Sequence, residues 1–223
     1  MKLIKSLTAG LTAIVVASGL ALSAHATPTL TLSDGTTTIM VMDNQAGDLD
    51  PTLGSVVFNG AVGTNFNINT SAGLTKPGDG SASAPAIDLS SLNHALGAGT
   101  LTITFSETGF TAFPGILTGH IGGTIAVGGS LTNVVMQNAL DLVTNGPFGP
   151  GPFSGTGSAA LIDGAPYSLT QTAILTFGAR GSTSFDAMAS VPGVPDGGTT
   201  VTMLGIGLLA MGAARRIYRK ATV

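Results

Sequence analysis

Residues 101–106 read Leu101-Thr102-Ile103-Thr104-Phe105-Ser106, with apolar and hydroxylated side chains in strict alternation. Successive side chains of an extended chain point to opposite faces, so Leu101, Ile103 and Phe105 share one face and the hydroxyls the other. β-Branched and aromatic residues suit such a half-buried pleated surface. The stretch predicts a strand with one face in a core and the other in water.

The same reading extends outward along the chain. Tyr167, Leu169, Ala173, Leu175 and Phe177 keep one parity, with Ser168, Thr170, Thr172 and Thr176 opposite; Gln171 and Ile174 break the pattern. Thr29-Leu30-Thr31-Leu32 and the run from Thr36 to Met42 flank Asp34-Gly35, while Val56-Val57-Phe58 and Phe66-Asn67-Ile68-Asn69 flank Asn59-Gly60. Both dipeptides are hairpin signals, because glycine accepts positive φ. Roughly ten such runs predict an all-β ectodomain, an antiparallel β-sandwich of jelly-roll-like character without a parallel α/β layer. Two stretches interrupt it. Residues Lys76 to Pro85 and Asn145 to Phe153 read as loops, the second too rich in proline for a central strand.

Composition narrows the class of protein. Charged residues make up 9% of the 223, and glycine accounts for 33, so hydroxyls and amides replace charge as the solvating groups. That balance is unusual for a cytosolic enzyme and suits a secreted β-rich protein. Cysteine is absent, which excludes disulfides and thiolate chemistry. From Thr27 to Gly193 two cations, Lys76 and Arg180, face nine aspartates and Glu107, a formal charge of −8. Nucleic-acid binding needs clustered cations and is excluded as a function class.

The remaining cations mark the chain's two ends. Lys2 and Lys5 precede an apolar stretch from Leu7 to Leu22 and then Ser23-Ala24-His25-Ala26. A basic start, an apolar centre and an A-x-A site at Ala24 and Ala26 describe a secretory signal peptide over residues 1–26, cleaved after Ala26; the competing reading is an uncleaved anchor. At the other end Thr199 to Ala214 is free of charge and is followed by Arg215, Arg216, Arg219 and Lys220. At ~1.5 Å per residue a helix over 199–214 is about 24 Å long, a little short of a ~30 Å hydrocarbon core. Ile217 and Tyr218 extend it if the arginines snorkel. The basic cluster at 215–220 holds the C-terminus in the cytoplasm by the positive-inside rule, leaving the ectodomain (27–190) outside the inner membrane.

Between them lies Val194-Pro195-Asp196-Gly197-Gly198. This motif, the apolar run and the terminal basic cluster together resemble the VPDGG variant of the PEP-CTERM sorting signals of Gram-negative bacteria. The resemblance implies that residues 191–223 form a sorting tail read by a membrane-embedded exosortase, a cysteine transpeptidase-like enzyme. It also implies that Pro195 and Asp196 belong to the recognised motif and that the inner-membrane anchor is transient. Proteins of this kind are typically exported and linked to extracellular polysaccharide or biofilm. A plain single-span anchor is the competing reading of the tail. The stretches Ser168-Leu169-Thr170-Gln171 and Thr183-Ser184-Phe185-Asp186-Ala187 are broadly similar to other PEP-CTERM ectodomains, a similarity that implies no particular activity.

No motif in the ectodomain names a reaction. His94 and His120 lie in separate segments without H-x-x-x-H or C-x-x-C spacing, which argues against zinc, and His120 beside Ile121-Gly122-Gly123 reads as a turn residue. There is no G-x-S-x-G elbow and no P-loop. Glu107 is the sole glutamate and reads as a surface residue, although pairing with an aspartate is the pattern of a glycosidase. The densest polar constellation runs from Asp43 to Pro51. Asp43, Asp48 and Asp50 can offer oxygen ligands to calcium, or can serve a turn by bonding its own backbone. The expected function is therefore an exported surface or matrix protein with a non-enzymatic structural or binding role and no resident cofactor. The alternative is a secreted polysaccharide-active hydrolase.

Overall fold

The structure, a computed structural model, describes residues 27–192. They form twelve strands: β1 (Thr29–Ser33), β2 (Thr38–Met42), β3 (Ser55–Val62), β4 (Phe66–Thr75), β5 (Ala86–Ala95), β6 (Gly99–Phe110), β7 (Ile116–Ile125), β8 (Gly129–Gln137), β9 (Leu140–Phe148), β10 (Gly151–Ala160), β11 (Tyr167–Phe177) and β12 (Gly181–Ser190). Two six-stranded sheets result, one ordered β2-β1-β6-β11-β8-β9 and the other β10-β7-β12-β5-β4-β3. All their pairings are antiparallel. The signal peptide, the motif at 194–198, the apolar segment at 199–214 and the basic cluster at 215–220 lie outside the described residues.

Strand parity builds the core. Leu101, Ile103 and Phe105 on β6 are fully buried beside Leu169, Ala173 and Leu175 on β11, and Leu89, Ile121 and Ala187 line the facing sheet. Each leucine, isoleucine or phenylalanine among them contributes about 1.5–3 kcal/mol by leaving water. Gly73 on β4 lets the sheets approach: a Cβ there would stand 2.3 Å from the Phe105 ring. The two exceptions on β11 keep the strand's parity and not their own polarity. Ile174 points out and Gln171 points in, where its side-chain amide has no hydrogen-bond partner. Asn133 on β8, diagonal to Gln171 in the register, is likewise buried and unpartnered. A one-residue slip to hide Ile174 would turn every other inward side chain of β11 to solvent, so the strand accepts a buried amide instead.

Two local expectations change. Asn59-Gly60 is not a turn: β3 runs through it, with a bulge between Phe58 and Gly60, and the chain reverses after Val62. Gly60 has φ +146 and absorbs the bulge, while Gly63 at φ +59 makes the turn. Residues 145–153 are mostly strand as well, with Pro147 in β9 and Pro152 in β10. Both strands sit at sheet edges, where a missing N–H costs no ladder hydrogen bond. The Asp34-Gly35 hairpin and the 76–85 loop form as expected.

Because every connection reverses the chain, loops fall alternately at the two ends of the sandwich. Thr27 enters and Pro192 leaves at one end, together with segments 43–54, 76–85, 111–115, 138–139 and 161–166. The opposite end holds connections of two to four residues.

Candidate functional site

The acidic segment linking β2 to β3 spends its carboxylates on its own backbone. Asp43 accepts the Gly54 N–H at 2.9 Å and the Asn44 side-chain amide at 2.7 Å. Asp48 accepts N–H groups from Asn44 (2.9 Å), Asp50 (3.1 Å) and Val57 (3.0 Å). Asp50 accepts the Thr52 N–H at 2.9 Å and the Ser55 hydroxyl at 2.7 Å, and hydrogen bonds from Ser55 and Thr52 hold its carboxyl below the usual range. Every oxygen of the three carboxylates thus accepts at least one bond that fixes the loop. Among the described residues no three of His, Cys, Asp or Glu gather into a group able to hold a metal ion.

Glu107 is buried, which corrects its reading as a surface residue. Its carboxylate lies 3.0 Å from Lys76 Nζ and accepts the Thr108 N–H at 2.8 Å. Lys76 also stands 4.4 Å from the centroid of the Phe110 ring and donates to the Thr108 carbonyl. An ion pair of this kind closes the mouth of the core under the 76–85 loop, and it consumes the acid that a glycosidase would need free. His120 is likewise not in a turn. It lies within β7, its Nδ1 3.0 Å from the Thr156 hydroxyl on β10.

The carboxylates that the fold does bring together are Asp88 on β5 and Asp186 on β12. Asp186 stands opposite Ser90 in the register, one outward position along from Asp88, on the open face of the second sheet. Burial, followed by the Asp186 charge, pushes the Asp88 carboxyl up to about 7. Beside them is a shallow hollow of about 390 Å³, lined by Thr70, Ser90, Leu92, Gly122, Ser184 and Asp186 among others. Gly122 leaves the floor open next to Asp186. Hydroxyls and carboxyls make this face a hydrogen-bonding surface, and Phe185, the aromatic residue along the hollow, is itself buried in the core. Sequence reading missed the pair, since Asp88 and Asp186 are 98 positions apart and only the β5–β12 register joins them.

Sequence and structure comparisons bear on the tail and on the fold separately. The VPDSG-CTERM motif, a related exosortase-type sorting signal, matches residues 193–218. Gly197 stands where that motif's name carries serine. No curated protein matches the chain. Solved structures similar in fold include TmCBM61 in complex with beta-1,4-galactotriose, at TM-score 0.34 and 8% identity over 63% of this chain and 90% of that one. A CBM4 structure matches at TM-score 0.35 and 10% identity over 67% and 91%. The cleaved adhesin domain of Lys-gingipain from Porphyromonas gingivalis matches at TM-score 0.33 and 10% identity over 63% of this chain and 91% of that one.

Proposed function

We propose that this is an exported surface or matrix-associated protein, handed to an exosortase-type enzyme by its C-terminal tail, whose β-sandwich has a non-catalytic binding or structural role. The observation that carries the reading is the sorting-motif match at 193–218, which begins directly after the described domain ends at Pro192. The signal-peptide pattern at 1–26 supports export, and the positive-inside arrangement of Arg215, Arg216, Arg219 and Lys220 supports an outward-facing domain. Extracellular polysaccharide is the partner best suited to the hydroxyl-rich face around Asp88 and Asp186, because neutral polyols exchange hydrogen bonds with Ser, Thr and carboxyl groups without demanding opposite charge.

The test is a motif change in a host that carries the cognate exosortase. Pro195→Ala with Asp196→Ala leaves the apolar run intact, so insertion should persist while recognition fails. Intact mass and fractionation should show wild type processed and released from the inner membrane and the variant accumulating there at full length. Wild-type protein that retains Val223 and stays in the inner membrane would defeat the proposal.

A further inference from the structure

At the end of the sandwich where the chain leaves it, exposed apolar side chains stand in two places: Leu49 and Leu53 in the acidic 43–54 segment, and four residues around the 111–115 and 161–166 segments. Phe113, Ile116, Leu140 and Ile162 are 45%, 55%, 46% and 58% exposed. They come from adjoining segments. Ile116 pairs with Ala160 across β7 and β10, and Leu161 N–H donates to the Gly115 carbonyl at 2.9 Å. The Gln137 side-chain oxygen accepts the Ile162 N–H at 2.8 Å, and its amide donates to the Asp163 carbonyl at 2.8 Å, tying 161–163 to the turn that precedes Leu140. Tyr167 hydroxyl donates to the Ala112 carbonyl at 3.0 Å and fixes the segment carrying Phe113. The platform is held in place by side-chain hydrogen bonds from β8 and β11 and by the pairing of β7 with β10.

The exit of the chain borders this platform. Val191 is buried, its N–H donating to the Pro85 carbonyl at 2.9 Å. Its side chain packs on Gly115, where a Cβ would meet Val191 Cγ1 at 2.7 Å and Leu161 at 3.3 Å. From Pro192 to Thr199, where the charge-free run begins, seven residues span at most about 25 Å of extended chain. A tail inserted in the bilayer therefore holds this end of the domain, and only this end, within that distance of the membrane surface.

We propose that the platform of Phe113, Ile116, Leu140 and Ile162 rests on the lipid surface while the tail anchors the chain. The inference depends on the reading of the tail as a membrane-inserted sorting segment. The contact needs little affinity of its own, because the short tether keeps its effective concentration high. Asp141 and Asp163 follow Leu140 and Ile162 directly, so anionic headgroups repel the platform and neutral lipid favours the contact over anionic lipid.

The chain has no cysteine, so single labels can be introduced without background. Ile162→Cys places an environment-sensitive fluorophore on the platform. Val127→Cys, at a residue 86% exposed in the turn between β7 and β8, places one at the far end. In full-length protein reconstituted into phosphatidylcholine vesicles, headgroup-labelled spin lipids should quench the Ile162 label at least roughly twofold more than the Val127 label, as expected of an interfacial contact. Phosphatidylglycerol vesicles should lower the Ile162 signal and added salt should restore it. Equal quenching at both positions, in vesicles that retain the chain through a carbonate wash, overturns the platform assignment. Chain that washes off overturns the anchor reading and the platform with it. Quenching at Ile162 that requires the co-reconstituted sorting enzyme assigns the platform to a protein and overturns the lipid contact.

Discussion

At one end of the sandwich the connections are long, acidic or apolar, and carry both exits of the described domain; at the other they are tight turns of two to four residues. The long end holds Asp43, Asp48, Asp50 and the buried Lys76–Glu107 pair, while the tight end holds Asp34 and the exposed Arg180. Asp34 illustrates the tight kind: its carboxylate accepts the Thr37 and Thr36 N–H groups, which hold it below the usual range, and it packs against Gly63 in the next turn. At the long end a single residue often serves several segments. Gly54 accepts the Thr75 N–H, donates to Asp43 and adjoins the Lys76 carbonyl. The contrast teaches that the hydrogen bonds and the ion pair that tie one loop to another are concentrated where the tail leaves.

Breaking the Lys76–Glu107 pair should produce the largest effect. The two side chains are 11% and 1% exposed, so Lys76→Met takes the cation away from a buried carboxylate and should cost about 3–5 kcal/mol in denaturant unfolding. Arg180→Met, which removes one exposed bond to the Leu96 carbonyl, should cost no more than about 0.5 kcal/mol. Similar losses from the two variants would erase the distinction between the ends.

Two glycines sharpen the comparison at a smaller scale. Gly54 has φ +85 and an added Cβ would lie 2.6 Å from the Lys76 carbonyl oxygen, whereas Gly35 has φ +88 and open space around it. Gly54→Ala should therefore cost upwards of about 2 kcal/mol, and Gly35→Ala about 1 kcal/mol from backbone conformation alone. Thermal midpoints of the two variants check the order.

The Asp88 carboxyl predicts a pH dependence of fixed sign. Its folded pKa of about 7 exceeds the usual 3.8, so the folded state holds a proton that the unfolded state releases. Its contribution is full below the lower value, declines as pH rises through this window and levels off above about 7. The group is half-buried and screened, which reduces the effect to the order of 1 kcal/mol. Asp88→Asn should raise the midpoint at neutral pH and above, and flatten the profile between about pH 4 and about pH 7. An unchanged profile would show that burial beside Asp186 does not raise the Asp88 carboxyl. Smallest of all is calcium. With their oxygens engaged by the loop, Asp43, Asp48 and Asp50 should give identical midpoints in chelator and in excess Ca²⁺, and a clear rise with Ca²⁺ would show that the loop rearranges to bind it.

Alternation was legible because it depends on one strand at a time: Leu101, Ile103 and Phe105 are buried as their spacing requires. Pairing was not, because it depends on partners far away in sequence. Asn59-Gly60 carries the local chemistry of a turn, and only the β3–β4 register makes it a bulge. The prolines of β9 and β10 mark edges, and an edge is a property of the sheet. Glu107 continues the inward parity of Phe105, a signal that a lone acid obscured until Lys76 was seen to meet it across the 76–85 loop. The Asp88–Asp186 pair had no sequence signal at all beyond two outward-facing acids. The tail was legible for the opposite reason, since a sorting motif is read in linear order and needs no partner strand.

The most direct test of an exported domain joined to a membrane-crossing tail is side-specific labelling in spheroplasts of a host without the sorting enzyme. Val127→Cys sits on the far end of the domain and Ala221→Cys beyond the basic cluster. A membrane-impermeant maleimide should label Val127→Cys in intact spheroplasts and reach Ala221→Cys only after permeabilisation. Labelling of both positions in intact spheroplasts, or protection of Val127→Cys until the membrane is opened, would contradict it.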